Sequence, residues 1–319
     1  MSVSSVFVRD FRPEDAEAVA RVRHASIPYL VTTGESVLFA TENAHPAQKY
    51  RLLVAESGGE VIGAAHVSLA HESRDPGQGT VTPHVHPGHR GRGAGSLLLR
   101  AAEEHLAAGG ATRVYAWVTD EPRERAFAEG HGYAPRRPAR FLRLDLAGGP
   151  LPDPAGLKPL PAGFELRTAA DLAADPRPLF EADAEVSADE PGDISAELDD
   201  YQDWLRQTWN HPCLDRDLTS VVVAPDGRIA AFTAAHSDRA TRYVTGMTGT
   251  LREFRGQGFA RLVKTDSLRR ARAAGHTEAF TSNDAGNAPM LAVNRWFGYE
   301  ICGTEVRHVR ELPTARNEP

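Results

Sequence analysis

Apolar and polar positions alternate along this chain so as to divide it into two runs of elements in the same order. In the first run, residues 6–10 read as a short strand. Pro13, Glu14 and Asp15 then open a helix over 16–25, where acids suit the positive end of the helix. Residues 51–55 and 60–69 read as strands about the turn Ser57-Gly58-Gly59. A strand follows at 80–86, a helix with one apolar side at 96–108, a strand at 113–118, a short helix at 123–129 and a closing strand at 140–146. The second run predicts a strand at 164–167, a helical region from 175 to about 209, and a hairpin of 219–224 with 228–237 about Pro225-Asp226-Gly227. It ends with a strand at 243–251, a helix at 258–274, a strand at 278–282, a helix at 288–297 and a last strand at 306–312. Anchor residues keep a nearly constant offset: Ile62 answers Ile229, Gly93 answers Gly258, and Gly132-Tyr133 answers Gly298-Tyr299. A tandem duplication explains this order.

The boundary falls at 147–163, where nine of 17 residues are Pro or Gly. Prolines remove backbone donors and glycines bring no packing surface, so the stretch reads as a linker. The expected domains are 1–147 and 164–319, joined by 148–163. Each half is long enough to bury a core of its own. The net charge of −7 gives no global attraction for nucleic acid or an anionic membrane. No apolar run approaches the roughly 18 residues of a membrane helix, and the N-terminus has no signal-peptide core. Two cysteines, Cys213 and Cys302, without a CxxC, fit a reducing cytoplasm and speak against a disulfide framework or structural zinc.

The chemistry concentrates in one repeated turn. Arg90-Gly91-Arg92-Gly93-Ala94-Gly95 returns as Arg255-Gly256-Gln257-Gly258-Phe259-Ala260, each time between a strand and a helix. The first amides of a helix lack partners within it. Small residues let a phosphorylated ligand approach them, and the helix dipole adds attraction. The leading arginine can shape the loop or meet phosphate oxygens. Neither copy has the Gly-Lys-Ser/Thr of a P-loop. A dinucleotide fingerprint would sit at the first βα turn, not after several antiparallel-type strands.

On these residues the chain resembles a tandem member of the GNAT superfamily of acyl-CoA N-acyltransferases. In that family Arg/Gln-x-x-Gly-x-Gly/Ala is the coenzyme A diphosphate loop, matched by Arg90, Gly93 and Gly95 and by Arg255, Gly258 and Ala260. The family's closing Gly-Phe/Tyr is matched by His131-Gly132-Tyr133 and Phe297-Gly298-Tyr299. The resemblance implies two GNAT-like α/β (mixed α+β) domains, each a mostly antiparallel mixed sheet flanked by helices. It implies acetyl-CoA as co-substrate without a metal, and transfer to a primary amine of a small molecule by direct attack. Nucleic-acid and membrane partners are not implied. The chain departs from the family at one point. Where many members place a tyrosine to protonate the departing thiolate, this chain has Ala128 and Asn294.

The second half is expected to be the working one. There the resemblance assigns Met247, Thr248 and Thr250 to the strand beside the pantetheine arm, with a backbone N–H near 247–248 for the oxyanion. It assigns the loop 255–260 to the diphosphate, Asn287 to the cofactor and Asn294 to the leaving sulfur. Ser282 and Asn283 add polar groups near the pantetheine. Asp189, Glu190, Asp193, Tyr201, Trp204 and Trp209 are expected to line the acceptor pocket, and His236, Asp238 and Glu190 are the candidate bases. His84 and His86, expected on the strand facing the thioester of the first half, keep open catalysis there or in both halves. The two missing tyrosines keep open a non-catalytic acyl-CoA-binding protein.

Overall fold

The computed structural model describes residues 5–73, 75–189 and 198–313. In chain order the elements are β1 (Val6–Asp10), α1 (Ala16–Ser26), α2 (Gly34–Glu42), β2 (Arg51–Ser57), β3 (Glu60–Leu69), β4 (Gln78–Val85), α3 (Ala94–Ala108), β5 (Arg113–Thr119), α4 (Pro122–Gly130) and β6 (Ala134–Asp145). The second run is β7 (Glu165–Thr168), α5 (Arg177–Ser187), α6 (Tyr201–Trp204, continued by a π turn to Trp209), β8 (Ser220–Val223), β9 (Ile229–Ser237), β10 (Arg242–Thr250), α7 (Phe259–Ala273), β11 (Glu278–Asp284), α8 (Ala288–Trp296) and β12 (Glu300–Glu311). Among the described residues no helix is long and apolar enough to cross a membrane.

The chain forms two compact units, one of 1–139 with 304–319 and one of 140–303. These do not follow the linear halves 1–147 and 164–319. The edge of β5 is taken by β12, antiparallel through seven residue pairs from Glu305↔Thr119 to Glu311↔Arg113. Residues 140–147 instead belong with the second unit, where Arg143 Nε donates to Glu278 and the Leu146 amide to the Thr277 carbonyl. A strand joins the edge that satisfies its backbone groups, and sequence adjacency does not decide which edge that is.

In unit 1 the strand order is β1-β2-β3-β4-β5-β12, antiparallel except for β4 with β5. One face carries α3, whose Leu98, Leu99, Ala102 and Leu106 bury against Leu53, Val67, Val81 and Val114. The other carries α1 and α2, with Val19 and Val37 against Val54 and Ala64. Helix α2 was not expected from the sequence. It is started by a reciprocal cap, in which the Thr33 hydroxyl accepts from the Ser36 amide and the Ser36 hydroxyl from the Thr33 amide.

In unit 2 the order is β6-β11-β10-β9-β8-β7, again with one parallel pair, β10 with β11. Helix α7 covers one face through Phe259 and Val263. Helix α5 and the α6 turn cover the other, with Trp204 and Trp209 in the core. The ladder of β9 with β10 shifts register between Thr245 and Thr248, a bulge at Gly246-Met247.

Candidate active site

Both glycine turns have the expected backbone. Gly91 and Gly93 have φ of 80° and 85°, and Gly256 and Gly258 have 77° and 91°, all in the region that side chains disfavour. Each second glycine caps a 15-residue helix whose opening amides face outward. The leading arginines close the loops instead of waiting for a ligand. Arg90 Nε donates to the Val85 carbonyl (3.3 Å) and Nη1 to Glu124 (2.6 Å). Arg255 Nε donates to the Thr250 carbonyl (3.2 Å) and Nη2 to Asp189 (2.6 Å).

The surroundings differ. Around the first loop Arg92 is exposed, the Arg123 guanidinium lies beside Gly91, and Gly95 brings α3 against Phe127. Around the second, Asp189 also binds Arg252 Nε (2.9 Å), and the two arginine hydrogen bonds hold its carboxyl at about 2. Glu185 accepts from the Arg252 amide. Asp189 is thus a counter-charge to the second loop.

Below the loops each parallel strand pair comes apart. In unit 1 the β4–β5 pairing ends at Thr80↔Tyr115. The strands then separate around a cavity of about 180 Å³, well beyond the roughly 10–15 Å³ that one water needs. It runs from Arg90, Gly91 and Gly95 past Ala128 to His84, Thr119 and Glu305. His84 is buried, and desolvation pushes it down to about 3, so its imidazole is neutral. His86 is not on the strand: it precedes a turn, where its Nδ1 accepts from the Gly88 amide. Pro83 lines the cleft and has no N–H. The amide of His86 bonds to β3 and so does the carbonyl of Gln78, so alternation turns position 83 toward the cleft. Tyr133 is drawn to α3, donating to Glu103 (2.9 Å), and stays protonated because burial raises it.

Glu305 was not anticipated. It is 6% exposed, and among the described residues no hydrogen bond or ion pair engages its carboxyl, which burial pushes up to about 7. It comes from β12, near the far end of the chain, so no local sequence signal connects it with the first glycine turn.

In unit 2 polar side chains meet one another in the corresponding region. The β10–β11 pairing ends at Val244↔Phe280, and Thr281 Oγ1 then donates back to the Thr245 carbonyl (3.2 Å). Lys264, fully buried on α7, donates to Asn294 Oδ1 (2.6 Å), and Asn294 Nδ2 donates to Asn283 Oδ1 (2.6 Å). Asn294 is wholly buried, with its oxygen and one N–H of its amide engaged by Lys264 and Asn283. Asn287 caps α8, accepting from the Met290 amide (3.3 Å). His236 sits edge-on to His211 over Gly246, and desolvation drops it to about 4. Asp238 accepts from the Ala240 and Arg242 amides and shapes a turn. Met247 lies in the bulge, Thr248 shares a hydrogen bond with Thr233, and Thr250 anchors Arg255. The side chain of Phe259 is in the core, leaving only its backbone to the loop. Tyr201, Trp204 and Trp209 form a stacked series, with Trp204 Nε1 on Asp183. Glu190 and Asp193 lie outside the described residues.

Known proteins resemble this chain over most of its length. The mycothiol acetyltransferase of Nocardiopsis dassonvillei is 28% identical over 86% of this chain and 86% of its own length. That of Thermobispora bispora is 28% identical over 93% and 97%. A tandem GNAT protein from the clavulanic acid biosynthesis pathway superposes with a TM-score of 0.71 over 96% of this chain and 98% of its own, at 21% identity. A GCN5-related N-acetyltransferase from Sphaerobacter thermophilus gives 0.68 over 96% and 95%, at 24% identity. The pattern of the acetyltransferase (GNAT) family matches twice, at 18–133 and at 180–299. With two glycine turns, two parting strand pairs and two family matches, the chain belongs to the acetyltransferase (GNAT) family as a tandem acyltransferase.

Proposed function

We propose that this enzyme transfers the acetyl group of acetyl-CoA to a primary amine of a small molecule, and that the thioester is held in unit 1. The carrying observation is the cleft that runs from the first glycine turn through the sheet to His84 and Glu305. The residues fit the co-substrate: exposed first-turn amides of α3 with Arg92 and Arg123 suit a diphosphate, and the mostly apolar cleft walls suit a pantetheine arm. Relatives named mycothiol acetyltransferase support a small-molecule acceptor.

On this reading the cleft aligns the amine with the thioester carbonyl, and alignment supplies much of the acceleration. Pro83 offers no oxyanion donor, and the Val81 amide lies in the β4–β5 ladder, so the Val85 amide on the same strand edge is the nearest backbone candidate. Ala128 cannot protonate the leaving group. A thiol with a pKa near ~8.5 departs as thiolate without that help, at a cost of about 10²–10⁴-fold relative to an acid-assisted site.

A second reading places the thioester in unit 2, and the β10 bulge favours it by freeing backbone groups at Gly246-Met247. Purified full-length protein with acetyl-CoA is expected to release thiol on addition of primary amines and not of the matching alcohols. Binding of acetyl-CoA with no thiol release from any amine would leave a binding protein and defeat the catalytic reading.

A further inference from the structure

The face of the unit 1 sheet that each residue occupies follows from its register. Thr80 pairs with Tyr115 across β4 and β5, so His84 and Thr119, four residues on, share their face. Thr119 pairs with Glu305. His84 and Glu305 therefore stand on one face, on either side of the gap where the strands part, and both line the cavity. That face is the one covered by α1, which contributes Ser26 and Ile27 to the cavity wall, and the glycine turn enters from the α3 side. A ligand held at the turn would present its far end to Glu305.

A buried carboxyl without a partner is costly to keep. The charged or titratable groups that share its cavity are His84 and His89 from β4 and its following turn, Arg90 in the loop, Arg123 and Glu124 on α4, and Tyr133 after it, while Arg23 on α1 and His66 on β3 act on His84 from the neighbouring elements. Arg90 is held by Glu124, and His84 is neutral. Arg307, two residues along β12 on the same face, stacks on Trp117 (4.8 Å) and Tyr115 (5.3 Å). Among the described residues no cation pairs with Glu305, and the cleft admits one from outside.

Resting on the unit 1 reading of the preceding subsection, we infer that Glu305 is the catalytic base of this enzyme: it binds the acceptor's primary ammonium and takes its proton. The ammonium N–H bond breaks and the proton passes to the Glu305 carboxylate. The freed lone pair forms the N–C bond to the thioester carbonyl as the C=O π pair moves onto oxygen, and that pair re-forms the C=O bond when the sulfur leaves. The C–S bond then breaks, its electron pair leaving on the thiolate, which takes the second nitrogen proton through water. The Glu305 carboxyl returns its proton to solvent. A carboxyl raised to about 7 is matched to this task near neutrality, and His84 opposite can accept a hydrogen bond from the amine to aim it. The chain's last strand thereby completes the site opened by its first glycine turn.

The test compares full-length wild type with Glu305→Gln and Glu305→Asp, using acetyl-CoA titration and thiol release with a panel of primary amines. Glu305→Gln is expected to keep acetyl-CoA affinity within about twofold and to lose about 10²–10⁴-fold in kcat. Its residual rate should climb tenfold per pH unit up to the pKa of the amine itself, because only amine already free in solution can react. The wild-type kcat/KM, which reports the free enzyme, should level off above about pH 7. Glu305→Asp, with the carboxylate set back by one methylene, is expected to fall between the two and serves alone if the Gln variant fails to fold. Wild-type kcat in either variant overturns the inference. So does a loss that leaves the shape of the pH profile unchanged, or wild type that binds acetyl-CoA yet turns over no amine. If acetyl-CoA does not bind unit 1 at all, the underlying reading has failed, and titration of Gly93→Val, which would then keep wild-type affinity, identifies that case separately.

Discussion

Gly93→Val is expected to weaken acetyl-CoA binding at least ~100-fold, whereas Gly258→Val leaves it within about threefold. Gly93 holds φ +85°, and a β-branched residue there is strained by about 1–2 kcal/mol. The loop would relax by turning its amides away, and each lost hydrogen bond to a charged acceptor is worth about 1.5–3 kcal/mol. Together these exceed the roughly 2.7 kcal/mol that corresponds to 100-fold. The protein itself has room, since a Cβ at Gly93 meets nothing within 4 Å. Gly258 is a matched control: it has φ +91°, and its nearest neighbour to a Cβ is Lys158 Cδ at 3.9 Å. Both variants should therefore lose similar stability and differ in binding. Calorimetric titration of each variant checks this, and a reversed pattern would move the site to unit 2.

Lys264→Met is expected to remove a pH dependence of stability that the wild type shows between pH 7 and 9. Lys264 is one of three lysines in the chain, and complete burial pushes its amine down to about 7. It has an asparagine oxygen at 2.6 Å and the Tyr299 ring at 4.8 Å. Between about 7 and the ordinary 10.5, the unfolded chain holds a proton that the folded chain has released. Stability then rises with pH, by up to about 1.4 kcal/mol per unit. Groups common to both proteins cancel when wild type is compared with the variant, so the difference in unfolding free energy should shift by about 2 kcal/mol in favour of wild type from pH 7 to 9. At any one pH the variant also leaves Asn294 Oδ1 without its donor, a separate cost of about 1–3 kcal/mol. Denaturant unfolding at the two pH values decides the matter, and a flat difference would mean that Lys264 is hydrated and that unit 2 is more open than described.

The repeat was legible because its signals are local. A glycine turn, a helix start and alternating strands each depend on a few neighbouring residues, and the elements around Gly93 and Gly258 formed as expected. Which turn fronts an open cleft was not legible. That depends on Lys264, Asn283 and Asn294 meeting from three elements of unit 2, and on Ala116, Ala128 and Pro83 leaving room in unit 1. Polar residues clustered in the second half read as ligands for pantetheine, and in the structure Lys264, Asn283 and Asn294 hydrogen-bond to one another. The Pro/Gly stretch at 147–163 marked a linker but not which sheet would take β12. Glu305 was hidden for the same reason, since strand partners distant in sequence leave no periodic trace.

The central claim, that the first glycine turn serves an acyl-CoA cleft, is tested most directly by a crystal structure of the full-length protein with acetyl-CoA. Diphosphate density is expected on the amides at 93–96, with the pantetheine arm between β4 and β5 and the thioester within reach of Glu305. Density for acetyl-CoA at 256–261 alone, with the unit 1 cleft empty, would contradict it.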